Sequence, residues 1–521
     1  MQNKKWLKKA MALMAAAALA MGGAVSTAWA AGTIIDGTTA TGSLTIHKNG
    51  VDTSTSLEGA EFTIYKVMDL TVTDGVASYS KTADFESVMN GVNPDKLGNY
   101  SAEQLENLAT QLAGAVSDST SKVGPMKTDA SGDAVFNALP LGYYLVVETA
   151  APDTYVAGKP FLIAIPSTNN YNNPSAEGTE WVYDVTASPK NSRMRLDKEL
   201  NTADTKEGVS KDGSVKVGDY VPYKITTAIP SYDATYTNPV FTITDVMSDG
   251  LEIQDTTDYP VTVTVGGQTA AKDTDYTLTA VPTKEDGKAD LTVAFTADYI
   301  KAHGNAEVEV TYYALVTNDA VMGTAGNVNE AGLKYSSNPS ETADAGPVKV
   351  KVYSFGINLV KFTKEDGTIP LAGAEFELYG EKNGAMDTTV LVTGTTDSNG
   401  KLVVKELLDE GTYYLKEKTA PEGYTLLANP IKVEITADKD VNGLATGTFT
   451  LKVNGEVIDE TSGEYTTQLN TTAGTATIAV ENHKGFSLPA TGGMGIVIFL
   501  VVGVAGIIAV SILMTRKTKE N

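Results

Sequence analysis

Few residues in this chain are of the kinds that carry enzymatic chemistry. Its 521 residues include no cysteine and three histidines, His47, His303 and His483. Scattered in this way, they offer no metal cluster of the zinc type. The sequence carries neither a serine-elbow pattern nor a His-Glu-x-x-His pattern. Asp438, Asp440, Asn442 and Gly443 spell the opening of a calcium loop, but Phe449 stands where the closing glutamate is required. A tight turn between strands is expected there instead. Carboxylates are abundant, yet no local pair of them points to a hydrolytic site. These observations argue against an enzyme and against a metal or organic cofactor.

Both ends specify an address. Residues 1–30 show Lys4, Lys5, Lys8 and Lys9, an alanine-rich apolar run, and Ala28-Trp29-Ala30, the pattern of a secretory signal peptide cleaved after Ala30. Leu488-Pro489-Ala490-Thr491-Gly492 precedes an apolar stretch, 494–514, and the basic Thr515-Arg516-Lys517. That stretch is long enough to span a bilayer, and the cations hold the tail on the cytoplasmic side. The net charge of −24 argues against nucleic acid and anionic lipid as partners. An exported chain without cysteine must find its robustness in something other than disulfides.

The elements that position these residues are strands. Threonine, valine and tyrosine alternate between glycine and aspartate turns through most of the chain. Leu57-Glu58-Gly59-Ala60-Glu61-Phe62 is repeated as Leu371-Ala372-Gly373-Ala374-Glu375-Phe376. Thr128-Asp129 with Gly132 matches Thr396-Asp397 with Gly400, and the Tyr143-Tyr144 strand parallels the Tyr413-Tyr414 strand. The first and last thirds are therefore versions of one β-sandwich. An insertion from Thr82 to Ser119 contains Ser101 and Gln104 at capping-box spacing, with Leu105, Leu108 and Leu112 on one helical face. The middle third is strand-patterned but lacks the repeated signature, and Ala345-Gly346-Pro347 reads as a linker at its exit. The expected fold is all-β, with three tandem immunoglobulin-like β-sandwiches and a helical insertion in the first. Their bounds are 31–191, 192–354 and 355–487, followed by the terminal signal 488–521.

In this order of parts the chain resembles the backbone pilins of Gram-positive fimbriae, built from collagen-adhesin domains of B, A and B type. The 488–492 motif, the span and the basic tail resemble a cell-wall sorting signal. By that resemblance a sortase cleaves between Thr491 and Gly492 and passes the threonyl group to an amine, so the membrane span belongs only to the precursor. Trp181, Val185, Pro189, Lys190 and Asn191 match the pilin motif WxxxVxVYPKN, departing from it at Ala187 and Ser188. The resemblance makes Lys190 the amine that receives Thr491 of the next subunit. Glu417 with Ala420-Pro421-Glu422-Gly423-Tyr424 looks like the family's glutamate box, YxLxExxAPxGY. Its companions are Lys361 on the first strand and Asn482 on the last, which the resemblance joins by an isopeptide bond.

The chemistry explains the residue types. A lysine near its reference pKa of roughly 10.4 is protonated, but an apolar core disfavours the charge and frees the lone pair. A carboxyl group buried beside it can polarise the asparagine carbonyl and shuttle protons while ammonia leaves. For the middle domain the resemblance suggests Lys198, Asp245 and Asn338, with Asn327 and Asn329 as rival acceptors. In the first domain Glu148 matches the box and Lys48 follows an early strand, but Asn191 is the one obvious acceptor and no bond is expected. The implied function is the shaft subunit of a covalent pilus on the cell wall. Its partners are other copies of itself, pilin-specific and housekeeping sortases, peptidoglycan, and tip and base pilins. The alternative is a monomeric wall-anchored adhesin, which has no need of the motif around Lys190.

Overall fold

The computed structural model describes residues 40–485, apart from 51–54, 74–75, 169–180, 282–287, 366, 405 and 459–462. The signal peptide with Ala30, the sorting motif 488–492 and the apolar stretch 494–514 lie outside the described residues. Among the described residues no helix is long and apolar enough to cross a membrane. The chain divides into two compact units. One comprises 1–211, 220–317 and 328–351, and the other 212–219, 318–327 and 352–521.

The first sandwich contains β1 (Thr41–His47), β2 (Glu61–Thr73), α1 (Ala102–Gly114), β3 (Asp133–Pro140), β4 (Gly142–Ala150), β5 (Phe161–Ile165) and β6 (Asp184–Ala187). β6, β1 and β3 form one sheet, in which β1 runs parallel to β6 with Leu44 opposite Val185. The facing sheet has β4 between β2 and β5. Alternation along β1 turns Leu44 and Ile46 inward onto Phe62, Phe136, Val146 and Ile163. Burying such side chains contributes about 1.5–3 kcal/mol each. α1 begins at the expected capping box. Gln104 N donates to Ser101 Oγ at 3.2 Å, and Ser101 N donates to Gln104 Oε1 at 2.8 Å. Its Leu108, Ala109 and Leu112 form a second core with Tyr65, Val67 and Leu145.

The middle sandwich contains β7 (Asp197–Leu200), β8 (Tyr220–Ala228), β9 (Phe241–Met247), β10 (Leu291–Phe295), β11 (Glu307–Val316), β12 (Asn327–Ser336) and β13 (Thr342–Val352). β7, β8 and β11 are successive neighbours in one sheet, and β10, β9, β12 and β13 in the other. Ala345-Gly346-Pro347 is no linker, because it lies within β13 at the edge of its sheet. Proline is tolerated there since an edge strand has one side without ladder partners.

The last sandwich contains β14 (Gly356–Thr363), β15 (Glu375–Lys382), β16 (Gly411–Thr419), β17 (Ile431–Lys439), β18 (Ala445–Val453) and β19 (Thr475–Glu481). β14 runs parallel to β19, as β1 does to β6, and β15 to β18 follow one another in the facing sheet. The would-be calcium loop is the turn from β17 to β18, where Asp440 Oδ1 accepts from the backbone N–H groups of Asn442 and Leu444.

The sequence repeat between the two outer sandwiches needs one adjustment of register. Tyr144 Oη donates to Pro140 O, and Tyr413 Oη donates to Asp409 O, four residues back in each case. Tyr144 thus corresponds to Tyr413, one position away from a pairing of the two Tyr-Tyr steps. This register brings Glu148 onto Glu417.

Candidate cross-link sites

In the last sandwich, Lys361 lies near the end of β14 and Glu417 faces it from β16, both side chains fully buried. Lys361 Nζ is 3.2 Å from Glu417 Oε1, and Asn482 Nδ2 donates to the same oxygen at 3.3 Å. Asn482 is brought there by the parallel pairing of β14 with β19, which continues as Asn482 N donating to Phe362 O at 2.8 Å. Glu417 Oε2 is held by the backbone N–H of Leu427 at 2.8 Å. The Phe376 ring lies under the amine, 5.4 Å away. Burial pushes the Lys361 amine below the usual lysine range, against the pull of Glu417.

The first sandwich repeats this arrangement with Lys48, Glu148 and Asn191, although no bond was expected there. Lys48 Nζ is 3.0 Å from Glu148 Oε2 and donates to Asn191 Oδ1, while Asn191 Nδ2 donates to Glu148 Oε1 at 2.7 Å. The backbone N–H of Gly158 holds Glu148 Oε2 at 2.8 Å, and Phe62 lies under the amine at 5.5 Å. Burial again pushes the lysine pKa down. The repeated glycines explain how the lysines are aimed. Gly132 and Gly400 adopt positive φ, and a Cβ on either would lie 2.3 or 2.2 Å from the carbonyl oxygen of Lys48 or Lys361. Each glycine also accepts the N–H of its lysine at 2.7 Å.

In the middle sandwich the lysine and the acid come from opposite sheets. Lys198 on β7 forms a buried ion pair with Asp245 on β9. Lys198 Nζ also donates to Tyr312 Oη at 2.6 Å, and Tyr312 Oη donates to Asp245 Oδ2 at 2.8 Å. The amide beside them is Asn329, whose Nδ2 donates to Tyr312 Oη at 3.1 Å. Burial lowers the Lys198 pKa and raises that of Asp245.

Asn338 does not reach this cluster, which corrects the sequence assignment. Its Oδ1 accepts from the backbone of Ser340 and Glu341, and its Nδ2 donates to Glu341 Oε2 and Thr149 O. The Asn-Pro-Ser-Glu turn uses the amide as a local cap. Asn327 is likewise engaged, with Val321. Asn329 is placed by register, opposite Met247 and two residues beyond Asp245 on the paired strand, for which the sequence carries no local signal.

Lys190 stands at the end of the first sandwich. Val185, Ala187 and Pro189 are buried while Asp184, Ser188 and Lys190 are exposed, a period-two alternation that turns the lysine outward. Ala187, where the family motif has valine, faces the core, and Ser188 faces solvent. Lys190 is opposite Asn49, and the next residue, Asn191, turns in toward Lys48. Thr491, its expected acyl donor, lies outside the described residues.

Three family models match in succession along this framework. They are the N-terminal D1 domain of Gram-positive pilin subunits over 26–192, the Cna-B-like domain of Gram-positive pilin backbone subunit 2 over 217–339, and a prealbumin-like fold domain over 358–446. The middle match is described as Cna-B-like, whereas A type was expected there. The chain belongs to the backbone pilins of Gram-positive bacteria.

Among the curated relatives, the trypsin-resistant surface T6 protein of Streptococcus pyogenes serotype M6 is 26% identical, covering 89% of this chain and 94% of its own. Fimbrial subunit type 1 of Actinomyces viscosus is 27% identical, covering 95% and 94%. The solved major pilin SpaD of Corynebacterium diphtheriae has a TM-score of 0.53 at 24% identity, over 87% of this chain and all of that one. The three-domain T6 backbone pilin has a TM-score of 0.56 at 20% identity, over 86% of this chain and all of that one. At those identities the structural likeness speaks to the fold.

Proposed function

We propose that this pilin subunit forms the shaft of a covalent surface pilus and that each of its three sandwiches is locked by an autocatalytic isopeptide bond. The observation that carries this reading is the recurrence of a buried lysine, a buried carboxyl group and a buried or half-buried asparagine amide in all three. Burying an ion pair is a poor way to gain stability, because desolvation offsets the attraction. The same burial suits a reaction. Transfer of the lysine proton to the carboxylate leaves a neutral amine beside an amide and an acid able to polarise it. The amine attacks Cγ of the asparagine, ammonia leaves, and a Lys–Asn bond remains. The bonds are Lys48–Asn191, Lys198–Asn329 and Lys361–Asn482, each formed once per chain without turnover.

Exposed Lys190 supports the assembly part of the reading. A sortase breaks the Thr491–Gly492 amide, and Lys190 Nζ of the next subunit takes the threonyl acyl group, releasing the C-terminal segment with the amine of Gly492. Tension along such a shaft passes from Asn191 and Lys48 through the first sandwich and on to its neighbours. A housekeeping sortase transfers the finished polymer to peptidoglycan, with tip and base pilins as further partners. The test is intact mass of the folded, secreted chain, expected to fall short of the sequence mass by about 17 Da for each of three ammonia molecules lost. A chain of full sequence mass would overturn the isopeptide reading.

A further inference from the structure

The middle cluster differs from the outer two in how the acid meets the amide. Glu148 and Glu417 touch their asparagines directly, through Oε1. Asp245 is one methylene shorter, and a tyrosine hydroxyl stands between it and the amide. Tyr312 Oη contacts Lys198 Nζ, Asp245 Oδ2 and Asn329 Nδ2, at 2.6, 2.8 and 3.1 Å. Asn329 Oδ1 and Asp245 Oδ1 are both buried without a hydrogen-bond partner. Half a turn of the Asn329 amide places Oδ1 where Nδ2 now stands, within reach of Tyr312 Oη, where it can accept once Tyr312 no longer donates to Asp245.

We infer that Tyr312 is a catalytic residue of the middle domain, relaying a proton between Asp245 and the Asn329 carbonyl that the short acid does not reach. This rests on the cross-link reading above. After the Lys198 proton has passed to Asp245, the hydrogen-bond chain reverses, with Asp245 donating to Tyr312 and Tyr312 donating to Asn329 Oδ1. Lys198 Nζ then bonds to Asn329 Cγ as the carbonyl oxygen takes the Tyr312 proton, which Asp245 replaces. Nζ next gives a proton to Nδ2, the Cγ–Nδ2 bond breaks and ammonia leaves. The proton on the carbonyl oxygen returns through Tyr312 to Asp245. One C–N bond forms and one breaks; Tyr312 ends as it began, and Asp245 ends holding the proton it took from Lys198, which the departing ammonia can carry away as ammonium.

Tyr223 supplies a matched control. It stacks on Tyr312 at 5.6 Å and lies under the same amine, 5.2 Å away, but its buried hydroxyl, which lies beside Asn329, makes no hydrogen bond to Lys198 or Asp245. Full-length chains bearing Tyr312→Phe or Tyr223→Phe are refolded from denaturant without prior cross-linking. The Lys198–Asn329 bond is followed by mass spectrometry of proteolytic fragments. Tyr312→Phe is expected to slow the middle bond by roughly a hundredfold, the effect of losing a proton-transfer group. Tyr223→Phe and the two outer bonds keep native rates.

A native rate in Tyr312→Phe, or equal slowing in both variants, would overturn the relay. Should Tyr312→Phe not fold, 3-fluorotyrosine at position 312 preserves the shape and changes the hydroxyl acidity. A changed rate supports the relay, and an unchanged one overturns it. If the native chain forms no middle bond, it is the cross-link reading that fails.

Discussion

Asn191 Nδ2 donates to Glu148 Oε1 at 2.7 Å, and the residue immediately before Asn191 is the exposed Lys190. One step along the chain thus separates a half-buried amide from a solvent-facing amine. If both form bonds, load entering at Lys190 reaches the core cross-link through a single peptide unit. Glu148→Ala is expected to abolish the Lys48–Asn191 bond, so that the variant falls short of its own sequence mass by about 34 Da, the loss of two ammonia molecules and not three. The other two bonds form as before. Intact mass and fragment mapping check both statements.

The middle acceptor is decided by a pair of substitutions. Asn329→Ala is expected to lose the middle bond, whereas Asn338→Ala keeps it and loosens the turn that Asn338 caps and its hydrogen bond to Thr149 O. Fragment mass spectrometry reads the difference. A missing bond in Asn338→Ala and a bond in Asn329→Ala would reverse the assignment.

How much of this was legible in the sequence follows from how local each signal is. The Lys361, Glu417 and Asn482 set was readable because the box, the first strand and the last strand each carry their own pattern. The acceptor in the middle domain was not, because its position depends on the register of β12 against β9, which no turn or motif marks. Asn338 looked suitable by type and place but is consumed by backbone donors two and three residues ahead. In the first domain Lys48, Glu148 and Asn191 were each legible by type, but not their meeting, which depends on the parallel pairing of β1 with β6. The capping box of α1 was clear because both of its hydrogen bonds lie within four residues.

The repeated turn glycines should be intolerant of any side chain. Gly400→Ala places a Cβ 2.2 Å from Lys361 O at positive φ, so the backbone must shift at the reactive lysine. We expect a loss of about 1–3 kcal/mol from backbone strain, together with slower closure of the third bond. Thermal unfolding and the mass time course measure the two effects. Gly423→Ala, also at positive φ but with no atom within 4 Å of its Cβ, serves as the comparison in which strain acts alone.

Asn482→Ala leaves Lys361 and Glu417 in place and removes the acceptor. Closing a loop of roughly a hundred residues stabilises by about 4–5 kcal/mol on the chain-entropy argument developed for disulfides. The third sandwich of this variant is expected to lose stability of that order and to become sensitive to trypsin. Denaturant unfolding gives the magnitude.

The pH dependence of the middle reaction follows from two opposite shifts. The lowered Lys198 pKa and raised Asp245 pKa favour the neutral amine and neutral acid together. Acidification protonates Lys198 and removes the nucleophile, while alkali ionises Asp245 and removes the proton donor. The rate of bond formation is therefore expected to be bell-shaped, with its acid limb below the ordinary lysine pKa of 10.5 and its alkaline limb above the ordinary aspartate value of 3.8. Refolding at a series of pH values, followed by mass, tests this. A rate rising without limit toward high pH would show that Asp245 need not be protonated.

The central claim is that this subunit is polymerised covalently through Lys190. Its most direct test is an immunoblot of the cell-wall fraction boiled in SDS, comparing the native chain with Lys190→Ala. A high-mass ladder is expected for the native chain, collapsing to monomer in the variant. A ladder in both would reject Lys190 as the acceptor, and a single monomer band in both would contradict the shaft function and favour a wall-anchored adhesin.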